Sequence, residues 1–209
     1  MGQFLLFMAF STIEGMAAFA LTLYIYRFDL KEYWLPVLIV VTLANLQSYA
    51  IHEDTSLSFI APMTNIIFII LFMATIVKVP IVWAGITGVS GYFAFGLIQV
   101  TIVLVSGGYL SIDQVQDIPI RGYMLQTLTG LSGTYLGWML YQFGYGFSFK
   151  FDHLRLKAEK TIVISVIGMI LALLTLFIYF KDAFMIMLSF LISMILFLYY
   201  AIKKEVAES

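Results

Sequence analysis

The sequence contains no cysteine and few charged residues, and both shortages limit what the chain can be. Without cysteine there is no disulfide, no thiolate metal site and no cysteine nucleophile. Charged residues make up 11% of the 209 residues, whereas they form about a quarter of an ordinary soluble domain. The net charge of −1 offers no basic domain to bind nucleic acid. The catalytic motifs of zinc proteases, serine hydrolases and P-loop enzymes are also missing, so we expect neither an enzyme nor a cofactor.

Hydrophobic residues dominate instead. They account for 62% of the chain and include 19 Phe, 13 Tyr and 11 Met, arranged in long runs that charges interrupt only briefly. Such runs are typical of helices that face lipid. The first run has neither a basic leading region nor a cleavage site, which indicates a retained helix rather than a signal peptide. We therefore predict an all-α, polytopic bundle in the plasma membrane, with membrane lipids as its surroundings.

Seven apolar runs are long enough to cross a bilayer, which requires about 20 residues. They are Phe4 to Tyr26, Trp34 to Ile51, Leu57 to Val77, Ile81 to Ser106, Gly122 to Phe147, Thr161 to Phe180 and Ala183 to Ile202. The shortest break is Lys78-Val79-Pro80, where proline disfavours a continuous helix. The two longest breaks, Gly107 to Arg121 and Lys150 to Lys160, are predicted as loops.

The basic residues predict the orientation, because Lys and Arg collect in cytoplasmic loops. With the N-terminus outside and the C-terminus inside, nine of the 11 Lys and Arg residues fall on the cytoplasmic side. The exceptions are Arg121 and Lys181. Seven spans with this orientation therefore agree with the charge distribution.

Glu14 is the one acidic residue predicted deep inside a span. An ionisable group in hydrocarbon is costly, so it is a candidate for binding a cation or an amine, or for relaying protons. The alternative is that Glu14 is protonated, forms a structural hydrogen bond to a neighbouring helix or lies near the headgroups, and the residue type does not decide between the two interpretations. The sequence places Glu14 towards the outer end of the first span, which favours a receptor over a pore.

The second span carries a polar stripe. Asn45, Ser48, Tyr49 and His52 recur at helical spacing along one face that runs towards the outer surface. This stripe predicts the wall of an external ligand pocket. Alternatively, Asn45 and Ser48 join helices by hydrogen bonds and His52 belongs to a solvated loop. A single imidazole at His52 predicts no metal site.

Three further amides, Asn65, Gln99 and Gln126, fall in the outer halves of the third, fourth and fifth spans. If they face a common cavity, they suit a peptide or a small molecule with hydrogen-bonding groups. Taken one at a time, each is better explained by a structural hydrogen bond between helices. The spacing of the sequence does not show whether they converge.

Small residues at four-residue spacing predict close helix packing. Gly88 and Gly91 lie on such stripes in the fourth span, and Gly133 and Gly137 in the fifth. We expect these stripes to pack the two spans together or to form the seam of a homodimer.

Three segments of the chain resemble a known family. They are Phe10-Ser11-Thr12-Ile13-Glu14, Ile76-Val77-Lys78-Val79-Pro80 and Tyr199-Tyr200-Ala201-Ile202-Lys203-Lys204-Glu205. Together with the order of spans they resemble the membrane sensor region of Gram-positive GHKL-type sensor histidine kinases, the group that includes accessory-gene-regulator-like peptide receptors. The resemblance implies that the bundle senses an external ligand and relays it through the last helix. No phosphoacceptor-histidine helix and no ATP-binding domain follow in the sequence.

We therefore expect a sensor or receptor module that passes helix movement to a cytoplasmic signalling partner, as in a two-component system. The candidate ligand residues are Glu14, Asn45, Ser48, Tyr49, His52, Asn65, Gln99 and Gln126. The alternative is a small transporter, or the substrate-binding subunit of one, with Glu14 and the amides as its site.

Overall fold

A computed structural model of the chain describes residues 2–52 and 61–147, and within these two ranges every regular element is an α-helix. The elements are α1 (Gly2–Ile25), α2 (Leu30–His52), α3 (Ala61–Thr75), α4 (Ile81–Val105), α5 (Ile112–Asp117) and α6 (Pro119–Gln142). The all-helical prediction is confirmed for this part of the chain. The predicted sixth and seventh spans, Thr161 to Phe180 and Ala183 to Ile202, lie outside the described residues.

The five long helices correspond to the first five predicted spans, with shifted ends. Helix α2 begins at Leu30 rather than Trp34, because the carboxylate of Asp29 accepts a hydrogen bond from the backbone N–H of Lys31 at 3.0 Å and caps the first turn. Helix α6 ends at Gln142 rather than Phe147. Gly144 and Gly146 follow with φ of 77° and 145°, which an α-helix does not accommodate.

Two tight turns reverse the chain at the same end of the bundle. After α1, Arg27 adopts a φ of 58°, and the N–H of Phe28 returns to the carbonyl of Leu23 at 2.9 Å. After α3, Lys78 adopts a φ of 65°, and Pro80 occupies the N-cap of α4. The predicted break at Lys78-Val79-Pro80 is therefore confirmed.

The connection between α4 and α6 contains a helix that the hydropathy pattern does not predict. Gly107 and Gly108, with φ of 61° and 92°, turn the chain at the end of α4, and the short helix α5 follows. The guanidinium of Arg121 lies 4.4 Å from the centre of the Tyr109 ring and donates a hydrogen bond to Gln114 of α5. Six residues with four polar side chains carry no apolar run, so the sequence predicts a loop here.

Helix α1 runs parallel to α6. A Cβ added to Gly130 would lie 2.7 Å from Ile13, and one added to Gly137 would lie 3.2 Å from the Cα of Leu21. The contacts thus advance in the same direction along both helices. The small residues allow the two backbones to approach closely.

Helix α1 runs antiparallel to α2 and α4. Glu14 contacts Gln99 of α4, whereas the later Tyr26 contacts the earlier Ser90, with 2.7 Å between the two hydroxyl oxygens. The ring of Tyr49, near the end of α2, packs 4.9 Å from that of Phe4 at the start of α1. Successive crossings of one bilayer require this alternation of directions.

Apolar side chains occupy both the interior and the outer surface. Trp83, Phe72 and Phe93 are fully buried, yet Leu131 and Tyr135 on α6 remain 63% and 61% exposed. By length and composition α1 and α4 are suited to crossing a membrane, and α3 is a shorter apolar helix. These features indicate association with a membrane.

Candidate functional site

A polar cavity of about 250 Å³ lies among the five long helices. Every one of these helices contributes at least one polar side chain to its wall. The polar lining comprises Ser11, Glu14, Asn45, Ser48, Asn65, Tyr92, Gln99 and Gln126. Phe7, Phe19 and Phe95 supply part of the apolar remainder. The cavity lies towards the end of the bundle at which α1 and α6 begin and α2 and α4 end.

Glu14 is the central group of this cavity. In the five long helices of the described ranges it is the only charged side chain away from a helix end. The amide nitrogen Nε2 of Gln99 donates to its Oε1 at 2.7 Å, and the side chain of Gln126 also hydrogen-bonds to it. Two amides from two other helices thus hold the carboxyl group in place.

The depth of Glu14 differs from our expectation. Helix α1 has 24 residues from Gly2 to Ile25, and Glu14 is near its midpoint rather than near an end. At 1.5 Å per residue this is about 18 Å from the start of the helix. A carboxyl group so far from either end needs the polar partners that the cavity supplies.

A second set of hydrogen bonds joins α2 to α1. The hydroxyl of Thr12 donates to the carbonyl of Met8 at 2.6 Å. Its oxygen in turn accepts a hydrogen bond from Nδ2 of Asn45 at 3.1 Å. Because the hydroxyl proton of Thr12 is already used, Asn45 must be the donor, so its amide nitrogen points towards Thr12.

Two polar atoms in the wall are buried without a hydrogen-bond partner among the described residues: Oγ of Ser48 and Oε1 of Gln126. Ser48 is only 7% exposed. The Nε2 atom of Gln126 donates a hydrogen bond to Oγ of Ser11 at 3.1 Å. The nitrogen of this amide therefore has a partner, whereas its oxygen has none among the described residues. Buried polar atoms without partners are uncommon in proteins, and here both belong to the same cavity.

The third and fourth helices also meet at the cavity. Asn65 of α3 forms a side-chain hydrogen bond with Tyr92 of α4. Both residues line the cavity. Side-chain hydrogen bonds therefore connect the five helices around the cavity. This arrangement agrees with both predictions from the sequence, structural hydrogen bonds between helices and a shared pocket.

The structure brings together six of the eight candidate residues. These are Glu14, Asn45, Ser48, Asn65, Gln99 and Gln126. Tyr49 is not part of the cavity wall, because its ring packs on Phe4 and Phe7, with ring centres 4.9 and 5.4 Å apart. His52 is the last residue of α2, and its side chain is not among the parts of the chain that the structure describes.

Sequence reasoning missed Ser11 and Tyr92 as site residues. Ser11 lies three residues before Glu14 and therefore shares its helix face, a spacing that was available in the sequence. Tyr92 lies four residues after Gly88, in line with small residues that the sequence pattern assigns to packing alone. Tyrosine is common in membrane helices, so its residue type gave no signal.

The four predicted packing glycines all make close approaches within one chain. A Cβ on Gly88 would lie 2.9 Å from Ile70 of α3, and one on Gly91 would overlap Thr22 of α1. Gly133 lies against both Ala17 of α1 and Phe95 of α4, and Gly137 faces α1. We expected the glycines of α4 and α6 to face each other. Among their nearest contacts, only Gly133 of α6 meets α4, whereas Gly91, Gly133 and Gly137 all meet α1.

The described part of the chain holds no group of three or more His, Asp or Glu side chains suited to a metal ion. No protein-family model, curated protein or solved structure matches this chain.

Proposed function

We propose that the chain is a multi-pass plasma membrane protein with seven spans, an external N-terminus and a cytoplasmic C-terminus. The alternating directions of the five long helices support an arrangement of successive crossings. The charges support the orientation, because Arg27, Lys31 and Lys78 follow the turns at one end of the bundle and Arg121 lies at the other. With this orientation the polar cavity lies in the outer half of the membrane.

We further propose that the protein is a sensor whose cavity binds an extracellular or membrane-phase ligand. The observation that carries this proposal is that five helices direct polar side chains into one cavity, where Ser48 and Gln126 each keep an atom without a partner among the described residues. A ligand that satisfies these atoms contacts α2 and α6 and lies in a cavity that all five long helices line. Its binding would therefore change the free energy of the packing between them.

The relay would pass along α1 and α6. These helices pack in parallel through small residues, and α6 leads towards the predicted last two spans. A displacement of α6 against α1 would move the cytoplasmic end of the bundle, where a signalling partner binds. The resemblance to sensor histidine kinases supports such a partner, and under this proposal the chain itself carries no catalytic activity.

A ligand screen tests the sensor proposal. The full chain in lipid nanodiscs is heated with a panel of short peptides, amino acids, sugars and small amines, and its melting temperature is recorded. At least one class is expected to raise the melting temperature, and Asn45→Ala should abolish that rise because it removes the amide from the cavity wall. Thr42→Ala on the same helix is the control, since its hydroxyl bonds its own backbone at Leu38. A panel without any effect would contradict the sensor proposal.

A transporter is the second candidate, and the position of Glu14 favours it. A carboxyl group near the midpoint of a spanning helix, held by amides, is the kind of group that lines a substrate path. Proteoliposomes that take up a radiolabelled solute, with uptake lost in Glu14→Gln, would support transport. Binding of the same solute without uptake would favour the sensor.

A further inference from the structure

We propose that the cavity is built for a small primary ammonium ion, whose N–H groups donate to Glu14, to the Gln126 carbonyl oxygen and to the Ser48 hydroxyl. This inference rests on the proposed ligand-binding function and adds the chemical class of the ligand. Some polar atoms of the cavity wall are already hydrogen-bonded within the protein. A ligand must complement the atoms that remain.

Three amide nitrogens of the wall donate to the protein itself. Nε2 of Gln99 donates to Glu14, whose carboxylate can only accept. Nε2 of Gln126 donates to Ser11. Nδ2 of Asn45 donates to Thr12, whose own proton is committed to Met8. The orientations of Gln99 and Asn45 thus follow from partners that only accept, and Gln126 is oriented with its nitrogen towards the hydroxyl of Ser11.

Two polar atoms of the wall remain for a ligand. Among the described residues, Oε1 of Gln126 and the hydroxyl oxygen of Ser48 are buried without a hydrogen-bond partner, and both can accept a hydrogen bond. The carboxylate form of Glu14 adds negative charge beside these oxygens. An anion or a ligand made only of acceptors would therefore face like partial charges, whereas an ammonium group with three N–H donors matches the wall.

The size of the cavity limits the rest of the ligand. Its volume of about 250 Å³ is below the range of roughly 300–1,000 Å³ typical of sites for drug-sized molecules. The aromatic side chains of Phe7, Phe19 and Phe95 line the remaining wall and suit a short alkyl chain. A small alkylammonium ion fits both requirements.

Three probes separate the charge of the ligand from its hydrogen-bond donors. Propylammonium carries both, tetramethylammonium carries the charge without N–H groups, and propionate carries acceptors and a negative charge. Each is titrated into the full chain in lipid nanodiscs, with binding measured by calorimetry. We expect propylammonium to bind and to raise the melting temperature, and the other two probes to bind at least about tenfold more weakly, as loss of a charge-assisted hydrogen bond predicts.

Two variants locate the binding. Glu14→Gln is expected to weaken propylammonium binding at least about tenfold, and Ser48→Ala roughly two- to tenfold, because each removes one hydrogen-bond partner. Ser48→Ala deletes a hydroxyl without partners, so it keeps the fold even if Glu14→Gln does not. Thr101→Val on the exposed face of α4 is the matched control and should bind like the wild type.

The results distinguish this inference from the proposed function. Propionate or tetramethylammonium binding as tightly as propylammonium would overturn the ammonium assignment, as would unchanged affinity in both cavity variants. If the broad panel instead reveals a ligand of another chemical class whose binding is lost in Asn45→Ala, the sensor proposal stands and the ammonium assignment fails. If neither the panel nor the probes bind, both fail.

Discussion

Single residues in α1 organise both the cavity and the packing around it. Glu14 accepts hydrogen bonds from α4 and α6, and Thr12 accepts one from α2. On another part of the same helix, Thr22 lies directly against Gly91 of α4. The polar residues of α1 thus connect helices, and the glycines of its neighbours let those helices come close enough for the connections to form.

Gly91→Ala should destabilise the protein. The added Cβ would lie 2.7 Å from the Cα of Thr22 and would overlap the Thr22 side chain, so the backbones of α1 and α4 must separate. We expect a loss of about 1–3 kcal/mol, as overpacked sites show. This loss should appear as a lower melting temperature of Gly91→Ala than of the wild type in nanodiscs.

Gly122→Ala is the matched control for this substitution. Its Cβ would meet only ordinary contacts, the nearest being the Val115 carbonyl oxygen at 3.5 Å, and alanine favours the helix. The control should match or exceed the wild type. Equal melting temperatures for Gly91→Ala and the wild type would contradict the close approach of α1 and α4.

At the scale of elements, the long helices follow from the sequence because each is an uninterrupted apolar run. The turn at Lys78-Val79-Pro80 was predictable because proline cannot continue α3. The start of α2 was not, since the cap at Asp29 extends the helix through the charged Lys31 and Glu32, which hydropathy alone assigns to a loop. Helix α5 was missed because its six residues carry no apolar run.

The parallel pair α1 and α6 offers a direct test by cross-linking. A Cβ on Gly133 would lie 3.5 Å from the Cβ of Ala17, within the range of a disulfide. Because the natural chain has no cysteine, the double variant A17C/G133C contains only the two thiols of interest. Mild oxidation should give an intramolecular disulfide, detected by non-reducing gel electrophoresis after cleavage between the two positions.

The double variant A17C/L131C is the control for this cross-link. Leu131 is 63% exposed on the surface of the bundle, so a cysteine there should not form a disulfide with one at position 17. A cross-link between two chains in the A17C/G133C variant would instead place Gly133 in a dimer seam. That result would contradict the packing described here.

At the scale of the whole molecule, the convergence of the polar residues was beyond sequence reasoning. Helical spacing places Asn45 and Ser48 on one face of α2, but it gives no rotation of one helix relative to another. The meeting of Glu14 on α1 with Gln99 on α4 could therefore not be derived. The same limit explains Tyr49, which shares the stripe of Asn45 but packs on Phe4 instead. Which side chains meet is decided by how the helices pack, and this depends on glycines such as Gly91 and Gly130.

The claim that joins these scales is that the polar cavity opens to the outside of a membrane bundle. Cysteine accessibility in intact cells tests it directly, with a small membrane-impermeant cationic thiol reagent applied from outside. The S48C variant places a thiol in the cavity wall, and S111C and K31C mark the two proposed sides of the membrane. L43C, on the exposed apolar surface of α2, is the lipid-facing control.

We predict that the external reagent modifies S48C and S111C, and that K31C reacts only after the membrane is permeabilised. L43C should stay unmodified, because a thiol in hydrocarbon does not ionise to the reactive thiolate. Modification of K31C but not of S111C in intact cells, or an S48C thiol that never reacts from outside, would contradict the account.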